Sequence, residues 1–293
     1  MSERLDLMRP LLDKFNRDFT VFDFGSGVEE FSLGAEIAAE YSNSVVIAAE
    51  KDPIRYTPKG RFLWLQREFS AHDLLRLAQC ERYDIALAMN ILHWRPDDWD
   101  VCLAALRRLA ASVTVQTPSP ADTEACGQKV IPVIDFYVSH IGFPLGCTAQ
   151  FPQHLSRPMY RLNGTLTFPT LSCKDWRSTD GEIAVEVQEG YSSKCVRFKH
   201  KHNRVDPYIP GMTLTTFTSL NGQWPKLPDM EHQIFHMIRP ERHGDLRPWN
   251  VRIDGRTAYS IDAEPTWTGD DNYGIQECLN HIREHYERAR TQD

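Results

Sequence analysis

The chain is poor in the features that assign a protein to a class at a glance. Its seven cysteines (Cys80, Cys102, Cys126, Cys147, Cys173, Cys195 and Cys278) are scattered, odd in number and free of any CxxC pair. That excludes a disulfide framework and a thiolate metal site, and reduced thiols are expected. No apolar run approaches the roughly 18 residues of a membrane span. The opening MSERLDLMRPLL lacks the uninterrupted apolar segment of a signal peptide, so a cytoplasmic protein is expected. There is no surplus of positive charge either. The formal net charge is -7, which argues against general binding to nucleic acid. The only basic run, KCVRFKHKHNR at 194–204, reads as a solvated hairpin or loop. Internal repeats and low-complexity linkers are absent.

What is present is an ordinary globular composition, 41% hydrophobic and 25% charged over 293 residues. That length allows one large domain or two modest ones, and two fit the pattern better. Leu5, Met8, Leu12 and Phe15 share one helical face. Strand patterns follow at TVFDFGSG (20–27), VVIAAEKD (45–52), RFLWLQ (61–66), YDIALAMNILHW (83–94) and SVTVQTP (112–118). Helical patterns lie at GAEIAAEY (34–41), after Pro96, and at VIPVIDFYVSHIGF (130–143). LGCTAQFP and RPMYRLN form a closing antiparallel hairpin. Continuous apolar strands alternating with helices predict an α/β fold, a Rossmann-like, doubly wound, mostly parallel seven-stranded sheet. After residue 164 the texture turns β-rich until a last amphipathic helix carrying Ile275, Cys278, Leu279, Ile282 and Tyr286. Two domains are therefore expected, 1–164 and 165–293.

In an open parallel sheet, ligands bind beyond the carboxyl ends of the strands. Gly25, Ser26 and Gly27 fall there, where glycines allow a tight turn and close backbone approach. Asp23 is placed to position that turn or a polar ligand group. Glu50 ends the second strand, where an acid accepts hydrogen bonds from ribose hydroxyls; its other reading is a surface acid in the run EKD. VFDFGSG, the acid after VVIAA, and YDIALAMNILHW resemble, in this order, class I S-adenosylmethionine-dependent methyltransferases over residues 1–164. The resemblance implies that Asp23, Gly25, Ser26 and Gly27 hold the methionine part of that cofactor. It places Glu50 on the ribose, and Asn90 with His93 facing the methyl group. The chain departs from the family where a third glycine is frequent, because Glu29 stands there. A nicotinamide enzyme with GxGxxG is the rival reading, but Glu30 replaces its third glycine.

Methyl transfer from a sulfonium needs alignment of acceptor and donor, and a base for the acceptor's proton. His93 is the candidate base. Asn90 is the residue to orient the acceptor or the cofactor's amino group. The resemblance implies a small-molecule or glycan acceptor, contacted by the loop TPSPADTEACGQ (117–128).

A second constellation lies at HGDLRPWN, residues 243–250. Asp245 and Asn250 are five apart, and Asp262 follows a hairpin turn at Asp254 and Gly255. Phosphoryl transfer needs an acid to take the hydroxyl's proton and oxygen ligands for Mg²⁺. The stretch resembles the catalytic loop of the protein-kinase and aminoglycoside-phosphotransferase superfamily. That implies an α+β kinase-like module with Asp245 as base and Asn250 and Asp262 as metal ligands, together with Mg²⁺ and ATP. Yet 165–205 offers no lysine-bearing strand followed by a helix; Lys194, Lys199 and Lys201 are the nearest candidates. In a retired module, His243, Asp245 and Asn250 would be the hydrogen-bonded core of the loop. The order of parts is that of bifunctional methyltransferase-kinases that modify polysaccharide ends. The expectation is a methyltransferase with a kinase-like extension. Two alternatives stay open, a phosphotransferase with a non-catalytic first domain and a binding protein with both sites degenerate.

Overall fold

A computed structural model describes residues 2–29, 32–119, 127–150, 155–165, 183–188, 194–199, 205–206, 211–220, 222–223, 247–260 and 271–290. The chain divides into two compact units. The first comprises Met1–Gly60 with Glu68–Thr167, and the second Arg61–Arg67 with Phe168–Asp293.

The first unit opens with helix α1 (Glu3–Leu12), capped by the Ser2 hydroxyl and burying Leu5, Met8, Leu11 and Leu12. It ends before Phe15, which stacks instead on Phe19 at 4.6 Å between ring centroids. Strand β1 (Phe19–Phe24) is buried throughout. Helix α2 (Leu33–Glu40) follows, then strand β2 (Ser44–Glu50). In chain order β3 (Arg61–Gln66) comes next and belongs to the second unit. Helix α3 (Ala71–Cys80) is an element that the hydrophobic pattern above does not anticipate; its start is set by a reciprocal cap between Ser70 and Asp73. Strand β4 (Tyr83–Met89), helix α4 (Trp99–Leu109), strand β5 (Ala110–Gln116) and helix α5 (Ile131–Ile141) continue the alternation. Strands β6 (Phe143–Gln150) and β7 (Leu155–Asn163) close it.

Within this unit the strand order is β2-β1-β4-β5-β7-β6. β1 is parallel to β2 and β4, and β4 is parallel to β5. β7 is antiparallel to both β5 and β6. The fold is thus a mostly parallel, doubly wound α/β sheet of the Rossmann-like kind, ended by the expected antiparallel hairpin. The lower edge of β1 and β4 is pinned by one carboxylate. Asp84 pairs with Arg17 at 2.5 Å and accepts the Thr20 amide at 2.8 Å. Cys102 and Cys278 are free and buried, and burial pushes both thiols up to about 12, so both stay protonated and unreactive at neutral pH.

The second unit holds β3 paired antiparallel with β12 (Gly222–Gln223). Strands β8 (Ile183–Gln188), β9 (Lys194–Lys199) and β10 (Val205–Asp206) form one antiparallel sheet. Strands β11 (Met212–Thr213), β13 (Val251–Ile253) and β14 (Ala258–Ser260) form another. Within the region after residue 164 that the sequence presents as β-rich, Leu214–Ser219 is a short helix, α6, capped by the Thr213 hydroxyl. Helix α7 (Asp271–Arg290) buries Cys278, Leu279 and Ile282. The hairpin turn at Asp254 and Gly255 is present, with Gly255 at φ 91°.

Candidate functional site

Hydrogen bonds from the amides of Gly25 and Ser26 to the Ala49 carbonyl, at 2.9 and 3.2 Å, lash the turn after β1 to the end of β2. Both glycines have left-handed backbones, φ 69° at Gly25 and 77° at Gly27, which only glycine adopts without strain. They do different jobs. A Cβ on Gly25 would stand 2.6 Å from the Ile91 side chain, whereas one on Gly27 would meet nothing within 4 Å. Gly25 is bare because protein occupies the space, and Gly27 is bare beside open space. Ser26 between them is buried, its hydroxyl on the Gly27 carbonyl at 3.2 Å.

Glu50 is brought to the same turn. Its Oε2 accepts the Gly27 amide at 2.9 Å, and its Oε1 accepts the Lys51 amide at 2.9 Å. The carboxylate is half-buried, so it is neither a free surface acid nor a core residue.

Asp23 lies beneath the turn, 1% exposed. One oxygen, Oδ2, accepts the Gly34 amide at 3.1 Å; the other has no partner. Burial pushes this carboxyl up to about 7, against the pull of the Gly34 amide and of Arg4 and with a further push from Glu50. A Cβ on Gly34 would collide with the Asp23 carboxylate. This close approach is made by Gly34, at the start of α2, while Glu29 lies outside the helix. The signal that finds it is the capping serine at Ser32 followed by a glycine.

Asn90 ends β4 with φ 55°, a left-handed conformation that asparagine tolerates better than most residues. Its amide N–H donates to the Gln116 carbonyl at 2.9 Å. His93 sits in the 3₁₀ turn Leu92–Trp94, buried, its ring 5.6 Å from that of the exposed Trp94. The residues that sequence reasoning misses are Arg4, Gln116 and Arg157, which surround Asn90. They carry no motif, since they come from α1, β5 and β7 and meet only through the fold.

In the second unit, Asn250 is buried at the end of a 3₁₀ turn, Pro248–Asn250, its amide on the Arg247 carbonyl at 2.8 Å. Arg247 is ion-paired with Glu277 of α7. His243, Asp245, Asp262 and Lys201 lie outside the described residues, as does most of the acceptor loop expected at 117–128. Among the described residues no group of three or more histidine, cysteine, aspartate or glutamate side chains is arranged to hold a metal ion. No described helix is long and apolar enough to cross a membrane.

The architecture defines a Rossmann-like α/β domain, with the glycine turn, Glu50 and Asn90 at the carboxyl ends of β1, β2 and β4. No protein-family model and no curated protein matches the chain. Among solved structures, the chain is similar to the bifunctional kinase-methyltransferase WbdD, with 15% identity over 96% of this chain and 80% of that one and a TM-score of 0.41. It is also similar to magnesium protoporphyrin IX methyltransferase (ChlM) from Synechocystis PCC 6803 with bound SAM, with 14% identity, TM-score 0.36, and 56% and 79% of the two chains covered. A Thermoplasma acidophilum protein aligns at 12% identity and a TM-score of 0.33 over 54% of this chain.

Proposed function

We propose that the chain is an S-adenosylmethionine-dependent methyltransferase acting on a small-molecule or glycan hydroxyl or phosphate. The observation that carries this reading is the pairing of Glu50 with the Gly27 amide beside open space. A nucleoside laid over Gly27 would meet bare backbone beneath its chain and a carboxylate at its sugar. The donor set fits in a second respect. The unpartnered oxygen of Asp23 is a buried acceptor waiting for a donor, and the ammonium of an amino-acid moiety supplies one.

When bound, the cofactor supplies a methyl group on a sulfonium, a leaving group that is already activated. The protein's own share is positioning and proton handling. Asp23 and the Gly25–Gly27 turn hold the amino-acid end, and Glu50 accepts the ribose hydroxyls. Asn90 fixes the geometry at the end of β4, and His93 accepts the proton of a hydroxyl acceptor at a ring nitrogen. A phosphate acceptor, already ionised, dispenses with that base. Isothermal titration of the full chain with S-adenosylmethionine tests the reading. Binding is expected for the wild type and its loss for folded Gly25→Arg, where the new side chain drives into Ile91. A folded wild-type protein that binds no such nucleoside overturns it.

A second reading attaches to residues 165–293 as a separate kinase-like domain. What favours it is the buried Asn250 at the mouth of the β13–β14 hairpin, the place the loop HGDLRPWN calls for in a phosphotransferase. In it Asp245 takes the acceptor's proton, and Asn250 and Asp262 hold Mg²⁺ for ATP. Mg²⁺-dependent ATP binding that disappears in Asp262→Ala supports this reading, and its absence in the wild type ends it.

A further inference from the structure

Helix α5 carries apolar residues on both of its sides. Ile131, Ile134 and Val138 face inward and are buried, as a helix laid on a sheet requires. The opposite side of such a helix is ordinarily polar, and here it is not. Val133 is 53% exposed, Phe136 72% and Tyr137 41%, and Phe143, just past the helix, is 53% exposed. These are four of the six large hydrophobic residues exposed among the described ones, gathered on one helix and its end. The two helical rings are also held in place. Phe136 stacks on His140, with 6.1 Å between centroids and 13° between planes, and Tyr137 meets the Trp99 ring of α4 edge-on at 5.7 Å.

What this face lacks decides what covers it. The chain has a formal charge of -7, so two copies repel one another on approach unless they meet through surface free of carboxylates. The exposed positions of α5 are Pro132, Val133, Phe136, Tyr137, Ser139 and His140, with no aspartate, glutamate, lysine or arginine among them. The helix's one carboxylate, Asp135, is turned to the protein, where its Oδ1 accepts from the Thr117 hydroxyl at 3.2 Å and from the Tyr160 hydroxyl at 3.4 Å. A partner with a charged face finds nothing here to pair with, whereas a second copy brings the same charge-free face. The size also fits. An aromatic side chain buries about 150–250 Å², so the exposed parts of Phe136, Tyr137 and Phe143 offer about 250–400 Å². A stable dimer buries roughly 800 Å² per partner, with an apolar, aromatic-rich centre inside a polar rim, and this patch has the extent and composition of such a centre.

We infer that the outward face of α5 is the centre of a homodimer interface, in which α5 of one copy packs across α5 of the other about a two-fold axis at Phe136. In such an isologous contact both copies use the same patch, and the residue at the axis meets its own counterpart. Rings already fixed against His140 and Trp99 lose little freedom on association, which favours the contact. The interface is independent of the cofactor reading, since no residue of the glycine turn takes part in it.

Sedimentation equilibrium of the full chain over about 1–100 μM tests the inference. The wild type is expected as a dimer. Phe136→Glu and Phe136→Lys, at a side chain exposed enough to leave folding intact, each bring two like charges together at the axis and should weaken association about 100-fold or more. An equimolar mixture of the two variants sets opposite charges face to face and should restore the dimer. Circular dichroism confirms that each variant is folded, and Val133→Glu with Val133→Lys, one turn away, repeats the test where a Phe136 variant is not. A wild type that is not a dimer overturns the interface and leaves the face to a partner of another kind. So does a dimer that Phe136→Glu leaves as tight as before. Variants that are monomeric alone and remain so when mixed overturn the two-fold contact, because only a helix facing its own copy rescues itself by opposite charges.

Discussion

Gly25 and Ile91 are packed so closely that a Cβ on the glycine would stand 2.6 Å from both Cγ1 and Cδ1 of the isoleucine. One residue belongs to the turn after β1 and the other follows the end of β4, so a single contact locks two parts of the candidate site together. Gly25→Ala therefore meets two penalties, the left-handed φ and the overlap, which together cost on the order of 2–4 kcal/mol. Chemical denaturation should show this loss in Gly25→Ala. The double variant Gly25→Ala/Ile91→Ala should recover only the steric part relative to Ile91→Ala alone. Full additivity of the two substitutions would show that the contact is not what fixes the turn.

Asp23 gives a pH signature. Its folded value, about 7, lies above that of the unfolded chain, near 4. The sign follows: the contribution of the protonated carboxyl to stability is fully present below about pH 4 and is lost as pH rises through about 7. Against Asp23→Asn, which cannot ionise, wild-type stability should fall by at most about 1.4 kcal/mol per pH unit across that window and run level above it. Melting temperatures of the two proteins from pH 4 to 9 make the comparison. Parallel curves would mean that Asp23 stays ionised in the folded protein.

How far the site is legible from the residues depends on whether its parts are neighbours in sequence. Gly25, Gly27 and Glu50 are visible because a strand followed by glycines and a strand followed by an acid are local patterns, and the parallel pairing of β1 with β2 brings them together. Gly34 is less visible because its role depends on the length of the loop before α2. Helix α3 escapes the hydrophobic pattern although its Ser70–Asp73 cap is written in the sequence. Arg4 and Arg157 are invisible, since 153 positions separate them and only the antiparallel return of β7 beside β5 makes them neighbours of Asn90.

Glu50 should matter to binding far more than to folding. In the folded chain it accepts the Gly27 amide and the amides that follow it in sequence, contacts on a half-buried group worth about 1 kcal/mol. Two ribose hydroxyls donating to an ionised carboxylate are worth more, so Glu50→Ala should weaken S-adenosylhomocysteine binding about 10- to 100-fold with only a small shift in unfolding. Calorimetry and a thermal melt on the same sample separate the two effects. An unchanged affinity would place the sugar elsewhere.

Asp254 makes the converse case, a carboxylate whose work is structural. It is 1% exposed, and its Oδ2 is 2.7 Å from Nε of Arg61 on β3. Its Oδ1 accepts the amides of Arg256 and Thr257 at 2.9 and 2.7 Å, which shapes the turn of the β13–β14 hairpin. Asp254→Ala takes from the Arg61 guanidinium, 13% exposed, the buried carboxylate that faces it. Breaking a buried pair from one side costs on the order of 3–5 kcal/mol. Asp254→Asn keeps an oxygen for the two backbone amides and loses only the charge, so it should cost less. Hydrogen exchange at Val251–Ile253 and Ala258–Ser260 reads the difference, with protection falling most in the alanine variant and partly in the asparagine one. Equal losses would show that the ion pair with Arg61, and not the turn, carries the whole of the carboxylate's effect.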